Sequence, residues 1–563
     1  MKKSVKNFIN LFWPYVLVIV LIILPLFIKS GYLFFTDISW GPNINLDWHR
    51  PYFLFNSIVN ALSFVLPIDL LEKIFITTTL ILILLGGRIL IKTILEYCNN
   101  SKDIIISRGL IFVLSLFALF NPFVYDRALY GQFGILIAYG CLFFVITYLF
   151  KTWQALDFKK LYPVAIFSVI ALMFSAHFIF LMLPFYLLFL IGIFLKRQEI
   201  KTVGLFRKFK FSLLFSIVIV LVINANWLTA IFINSSPLND FFQKEVTSQD
   251  LIAFSTAGKT PTETITNVLM MSGFWGKDQF RYLDLTDISG WQRSFILLLP
   301  IILYGVYLSF RKNSRQNKIF IFSLLIIFIA AILLAVGIKA PIARSLTLFF
   351  YDHLPFYKGL REPQKWVAVI IPIYLFYLTL GVIGLNRLKI IIKNRFLGGV
   401  ILTAIIVMLA PSLLWGFNRQ VKPTPYPDDW YEVNNLLISK FSKTKDCSDR
   451  ILFLPWHMYL KFNWAGKVIA NPSSNFFKCP IISGTNMEWG GIYDNSGNFN
   501  SEAIVNWLKL KGDEGMPTLV GDRVRYIILA KEVDFKDYLW LNKAPYLQLI
   551  KETETLFVYE VRY

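Results

Sequence analysis

The chain has 563 residues, 56% of them hydrophobic and 16% charged, with a formal net charge of +21 and a mean hydropathy of +0.59. Soluble globular proteins do not have that balance. A nucleic-acid-binding protein is excluded too, because the basic residues are scattered over short gaps between apolar runs and no outer or C-terminal stretch is basic.

A bilayer core of roughly 30 Å asks for about 20 apolar residues in a helix. Eleven runs fit: 11–28, 73–92, 104–120, 131–150, 161–176, 178–195, 211–233, 293–310, 319–337, 365–385 and 396–416. The run pair within 161–195 divides around Ser175-Ala176-His177. Six alternate gaps are basic (1–10, 92–108, 151–160, 196–210, 311–318 and 386–395), with 23 Lys and Arg against Glu96, Asp103, Asp157 and Glu199. Positive loops stay in the cytoplasm, so the N-terminus is expected there and the remaining gaps face outward. The first run follows Lys2, Lys3 and Lys6, lacks a small-x-small cleavage site and reads as an uncleaved anchor.

The expected fold is mainly α: a polytopic membrane helix bundle of about eleven spans over 1–418, with outer segments 30–72, 234–292 and 338–364. A Pro-rich connector (Pro423, Pro425, Pro427) leads to a small extracytoplasmic α/β or α+β domain, 424–563. There, 450–454 and 524–529 read as strands, 546–550 and 555–562 as a hairpin, and 428–441 and 501–511 as helices. Cys447 and Cys479 both fall in this domain, either as a disulfide or as two separate thiols.

The polar residues gather in the outer segments. In the first, Asp37 follows the first run among Tyr32, Phe34, Phe35 and Trp40. A carboxylate shielded by aromatics at a bundle mouth suits a general base; the plain alternative is a cap on a helix starting at Ile38 or Ser39. Asp47 is a second acid in the same loop. The turn Asn121-Pro122…Tyr125-Asp126-Arg127…Tyr130-Gly131-Gln132 puts two charges near the interface, where ionisable groups usually serve a function. Arg127 suits a phosphate and Asp126 a hydroxyl, unless they only satisfy each other. His177 lies at an outer turn, as a packing residue or a substrate contact. The segment Gly273-Phe274-Trp275-Gly276-Lys277 offers a ring to stack on a sugar or to lie in the interface. The stretch Lys358-Gly359-Leu360-Arg361-Glu362-Pro363-Gln364-Lys365 carries three cations at the start of a span; Arg361 and Lys365 suit a lipid-linked phosphate, or else anchor the interface. Trp456, Tyr459, Trp464 and Trp489 form either a sugar platform or a small aromatic core. His49, His177, His353 and His457 have no metal-ligand spacing; an Asp-based magnesium or manganese site stays open.

Taken in order, Asp37, the Asn121-Pro122…Gln132 turn, Gly273-Phe274-Trp275 and Leu360–Lys365 resemble the polytopic glycosyltransferases of the GT-C superfamily. The resemblance extends over roughly 30–385 and points to the N-terminal membrane region of the mycobacterial α-(1→3)-arabinofuranosyltransferases. It implies inverting transfer of a sugar from a polyprenyl-phosphate donor to a glycan, lipid or protein acceptor at the outer face, with Asp37 as base. Asp126, Arg127, His177, Trp275, Arg361 and Lys365 are the implied substrate contacts. The chain departs from that group in having no very long carbohydrate-binding C-terminus, and Asp47 competes for the role of base. Two other classes fit less well. A flippase of lipid-linked saccharides needs charges within its spans, where Arg88 is the main one. A non-catalytic assembly protein would leave Asp37 and Arg361 apart.

Overall fold

The computed structural model describes residues 2–98, 108–202, 204–231, 248–279, 281–288, 290–311, 315–354, 356–387, 395–444, 449–484, 486–489, 492–494, 499–511 and 516–562. Among them, six helices are long and apolar enough to cross a membrane: Ile68–Tyr97, Phe133–Ala155, Phe178–Leu195, Trp291–Arg311, Lys318–Lys339 and Pro363–Asn386. Two bent pairs, Arg108–Leu119 with Pro122–Tyr130 and Phe396–Val407 with Pro411–Asn418, raise the number to eight if each pair crosses as one unit. The other expected runs, 11–28, 161–176 and 211–233, lie on the helices Lys2–Phe27, Leu161–Phe174 and Phe206–Ile223. Length and apolarity thus support six to eight spans among the described residues, fewer than the eleven runs suggest. Ser175-Ala176-His177 does divide two helices, Leu161–Phe174 and Phe178–Leu195.

The bundle is held by close helix contact in its centre and by apolar surface outside. The Val367–Arg387 helix is enclosed almost completely, whereas Leu187, Ile191 and Phe194 on one helix and Ile326 and Ile329 on another stay exposed, as side chains facing lipid do. The 51° bend between Arg108–Leu119 and Pro122–Tyr130 has a local cause. Asn121 donates its amide to the carbonyls of Phe117 and Ala118, both at 3.0 Å, and accepts the Val124 N–H at 3.0 Å. It therefore closes one helix and caps the next, with Pro122 at the first position. Gly131, at φ +89°, ends that short helix.

Among the described residues the C-terminal region carries nine strands: β1 Arg450–Leu454, β2 Tyr459–Phe462, β3 Lys467–Ala470, β4 Ile481–Ile482, β5 Met487–Trp489, β6 Ile492–Asp494, β7 Val524–Ala530, β8 Leu547–Glu552 and β9 Leu556–Val561. Five make a mixed sheet in the order β4-β1-β7-β9-β8. There β1 runs parallel to β4 and β7, while β9 is antiparallel to β7 and β8. The strands, hairpin and helices expected from the sequence are found here, with helices at Asp428–Thr444 and Phe499–Lys509. The side chains of β1 alternate as a strand's must. Ile451 and Phe453 enter one core with Trp430 and Tyr426, and Leu452 and Leu454 another with Trp507 and Tyr559.

The first of these cores also contains Tyr32 and Phe34 from the loop after the first helix. Tyr32 bridges to Thr424, Tyr426 Oη donates to the Trp40 carbonyl at 2.7 Å, and Asn475 Nδ2 donates to the Ser39 carbonyl at 2.7 Å. The loop that holds Asp37 is therefore built into the C-terminal region as well as the bundle. Trp456 is buried in the second core and Trp464 packs against the first, so these two serve as core and not as an exposed platform. Cys479 is buried; Cys447 lies outside the described residues.

Candidate active site

Four segments meet at the end of the bundle beneath the C-terminal region: the loop around Asp37, the short helix Pro122–Tyr130, the turn at Trp275, and the stretch 361–365. Their centre is a polar chain. Asp37 Oδ2 accepts from Gln132 Nε2 at 2.7 Å, and Gln132 Oε1 accepts from Arg127 Nη1. Arg127 Nη1 also reaches Glu362 Oε2, and its Nη2 donates to Gln364 Oε1 at 2.6 Å. Glu362 takes a second donor, Trp275 Nε1 at 3.0 Å, and its other oxygen faces Lys365 Nζ at 3.1 Å. The second Asp37 oxygen accepts from Tyr459 Oη at 3.1 Å.

Electrostatics gives the two carboxylates different characters. Burial pushes the Asp37 carboxyl up to about 6, helped by the nearby Glu362 charge and opposed by the Gln132 and Tyr459 hydrogen bonds and by Arg127. Part of Asp37 still faces the cleft. It is thus a carboxylate ionised at neutral pH yet basic enough to accept a proton. Burial acts on Glu362 as well, but Lys365 and Arg127 outweigh it and hold that carboxyl well below the usual range. His177 lies within the field of the same group. Burial, with Lys365 adding to it, pushes its imidazole down to about 3, so the ring is neutral at physiological pH.

The structure brings Asp37, Arg127, Trp275, Lys365 and His177 together, with Arg361 alongside, its guanidinium 4.3 Å from the centre of the Phe254 ring. Asp37 caps no helix; the backbone beyond it is irregular. Arg127 departs from its expected role. It is fully buried and engaged by Glu362, Gln132 and Gln364, so it organises the site and is not open to a phosphate. Lys365 is also buried and paired with Glu362. Asp126 does not pair with Arg127; it accepts from Tyr282 Oη at 3.4 Å on the far side of the short helix. Asp47 sits in an exposed turn, in an ion pair with Arg50 at 3.2 Å, and is not joined to the cluster.

Three participants, Gln132, Glu362 and Arg281, were given no role from the sequence, and a fourth, Tyr459, was expected only as part of a sugar platform or an aromatic core. Gln132 and Glu362 lie inside the motifs, and Glu362 is the one acid among the three cations from Lys358 to Lys365. That isolation was an available signal. Arg281 stacks between rings, 5.9 Å from Tyr130 and 5.5 Å from Tyr459, and makes no ion pair among the described residues. Tyr459 reaches Asp37 across 422 residues, which no local pattern announces. Among the described residues no three His, Cys, Asp or Glu side chains gather as metal ligands. Glu362 is bound by two cations, Arg127 and Lys365, and each Asp37 oxygen receives one donor.

No protein-family model matches the sequence, and no curated protein matches it. Solved structures do. Over 98% of its length the chain superposes on the arabinofuranosyltransferase AftD from mycobacteria, with a TM-score of 0.58 and 12% identity. The chain shares its fold with AftD. A mutant form of AftD gives a TM-score of 0.56 at 11% identity, again over 98% of this chain. The chain spans 40% of the length of AftD. ArnT from Cupriavidus metallidurans, solved with undecaprenyl phosphate, aligns over 98% of both chains at 10% identity with a TM-score of 0.47.

Proposed function

We propose that this protein is a membrane glycosyltransferase that moves a sugar from a polyprenyl-phosphate donor to a glycan or glycolipid acceptor, with inversion, on the face of the membrane that carries the C-terminal region. In this reading residues 1–418 are the catalytic membrane part and 424–563 a soluble extracytoplasmic part. The observation that carries it is Asp37: a half-buried carboxylate with a pKa of about 6, in a cleft of a GT-C fold where Arg127, Lys365, Arg361 and Arg281 outnumber Asp37 and Glu362.

The chemistry follows from that arrangement. The acceptor hydroxyl attacks the anomeric carbon while its proton passes to Asp37, and the bond to the phosphate oxygen breaks. The leaving group is a phosphate, so no acid is needed to expel it, but its growing negative charge needs cations set in place beforehand. Arg361, against the Phe254 ring, and Arg281, against Tyr130 and Tyr459, are the cations assigned that role, while Lys365 is held by Glu362. Trp275 is fixed by Glu362 and packs edge-on to Tyr130 at 5.3 Å, at the rim where a sugar would enter.

The lipid tail has a place as well. An apolar cavity lies inside the bundle, bounded by Leu90, Trp153, Phe189, Phe320, Ile373 and Phe376 among others. Ile373 is on the helix that begins just after Lys365, and Phe189 on the one that begins just after His177. At 1.5 Å per residue, these side chains lie roughly 10–20 Å below the cleft, within reach of a few isoprene units.

Incubating the reconstituted protein with a panel of polyprenyl-phosphate sugars and following free polyprenyl phosphate by mass spectrometry tests the reading. Wild-type protein is expected to release it with at least one donor, and Asp37→Asn to lose at least 100-fold in rate, as removal of a general base does. Equal release by Asp37→Asn would remove Asp37 from the mechanism.

A further inference from the structure

We propose that Tyr459, on the β2–β3 hairpin of the C-terminal region, is a positioning residue of the transfer reaction, holding the Asp37 carboxylate aligned to take the acceptor proton. The inference rests on the glycosyltransferase reading above and extends the active site into a region that the sequence separates from it by more than 400 residues.

The geometry is specific. A carboxylate with a donor on one oxygen can rotate about its Cβ–Cγ bond, whereas one with a donor on each oxygen cannot. Gln132 holds Oδ2 and Tyr459 holds Oδ1, which leaves one lone pair on each oxygen for the acceptor. The main chain is fixed too, because the Asp37 N–H donates to the Tyr130 carbonyl at 2.8 Å.

Tyr459 is itself clamped. Its strand pairs with β3 in the register Tyr459↔Ala470, and the hairpin packs onto the loop before Asp37. Trp464 meets Phe34 edge-on at 5.0 Å, and Lys467 Nζ lies 5.8 Å from the Phe35 ring centre. Arg281 bridges the Tyr459 and Tyr130 rings. A hairpin serving only as sheet would have no reason to place a hydroxyl against a recessed carboxylate.

The charged and titratable groups facing Asp37 are Tyr459 from β2, Tyr130 and Arg127 from the short helix, Glu362 from the 361–365 stretch, and Arg281 behind the two tyrosines. Lys467 on β3 stands beyond Phe35. Among the described residues, Gln132 and Tyr459 are the side chains that hydrogen-bond to Asp37, and both favour its ionised form. In the reaction the acceptor O–H bond breaks, its oxygen bonds the anomeric carbon, the phosphate oxygen leaves with its electron pair, and the proton ends on Asp37. Tyr459 keeps its own proton throughout.

The test is the pH profile of kcat/KM for the full-length protein in proteoliposomes, with the donor found active for wild type. Tyr459→Phe keeps the ring that Arg281 stacks on and deletes only the hydroxyl. Its acid limb is expected to move up by about one pH unit, the size of one hydrogen bond to a charged group, with kcat down about tenfold and KM changed less than about twofold. Replacing Tyr459 by 3,5-difluorotyrosine strengthens the donor and is expected to move the same limb down. A uniform loss of rate at every pH, with the limb in place for both replacements, means a structural role and overturns the proposal. Wild-type rate and profile in Tyr459→Phe overturns it as well, while Asp37→Asn still abolishing transfer would leave the glycosyltransferase reading intact. No transfer by wild type from any polyprenyl donor would take down both.

Discussion

Glu362 joins two fully or almost fully buried cations, Arg127 and Lys365, to one carboxylate. A buried charge that loses its partner is costly, typically about 3–5 kcal/mol, because the remaining ions stay out of water without compensation. Glu362→Gln therefore lowers the thermal midpoint in detergent and removes transfer activity together, and a variant as stable as wild type would show that the pairing is dispensable. Asp37 has the opposite sign. Its folded pKa of about 6 lies above the ordinary carboxyl value, so the folded protein holds this proton more tightly than the unfolded chain. The stability this brings is complete below about pH 4 and is lost as pH rises through about 6. Asp37→Asn is therefore expected to gain stability relative to wild type as pH rises from about 4 to about 6, and to keep that gain above it, while losing activity; a difference in midpoint that does not change with pH would refute the raised pKa. Asp37, Arg127 and Trp275 were legible in the sequence, because each is a polar or aromatic residue at a turn between apolar runs. What each one binds was not, since Arg127 reads locally as a partner for Asp126 and meets Glu362 only when the chain folds back over a separation of 235 positions.

At the scale of elements, the apolar runs announce helices but not which helices touch. The helix Trp291–Arg311 packs on Val367–Arg387 through two glycines. A Cβ on Gly305 would stand 1.9 Å from the Tyr377 carbonyl oxygen, and one on Gly381 would stand 1.9 Å from that of Ile301. In lipid, where apolar side chains gain nothing by meeting each other, such small residues let backbones approach and pack. The Val367–Arg387 helix begins immediately beyond Lys365, so this contact also sets the depth of the 361–365 stretch. Gly305→Ala forces the two backbones apart and is expected to reduce both the yield of monodisperse protein and its thermal midpoint. Gly399→Ala, with nothing within 4 Å of the added carbon, is the matched control and should leave both unchanged; indistinguishable variants would mean that the contact is looser than it stands. The hairpin of β2 and β3 is a different case. Its strands are four residues each, too short for alternation to stand out, although Leu460 and Phe462 are inward and Lys461 outward.

At the scale of the whole molecule, the same face collects the loops 30–50, 254–288 and 338–365, the C-terminal sheet and every residue of the cleft, while the basic gaps at 151–160 and 196–210 lie at the other ends of their helices. That division was legible, because translocation of Lys and Arg is costly and leaves its record in composition. The seating of the C-terminal region on the first loop was not, because Tyr32, Phe34 and Trp40 look like interfacial aromatics until Tyr426 and Trp430 are found against them. The two halves of the record give one directional prediction. Lys159 and Lys536 are both exposed, one in a basic gap and the other in the C-terminal region. In a variant with Cys98 and Cys447 replaced by serine, Cys141 and Cys479 remain buried and should not react. Lys536→Cys is then expected to label with a membrane-impermeant maleimide on intact cells, and Lys159→Cys only after the membrane is opened. Labelling of both from the same side would break the link between charge and orientation, and with it the placing of the transfer reaction on the outer face. The opposite order, Lys159→Cys first, would turn the protein over and require a donor presented from the cytoplasm. The cleft itself would be unchanged in either case, so this experiment decides where the sugar is delivered independently of whether Asp37 transfers it.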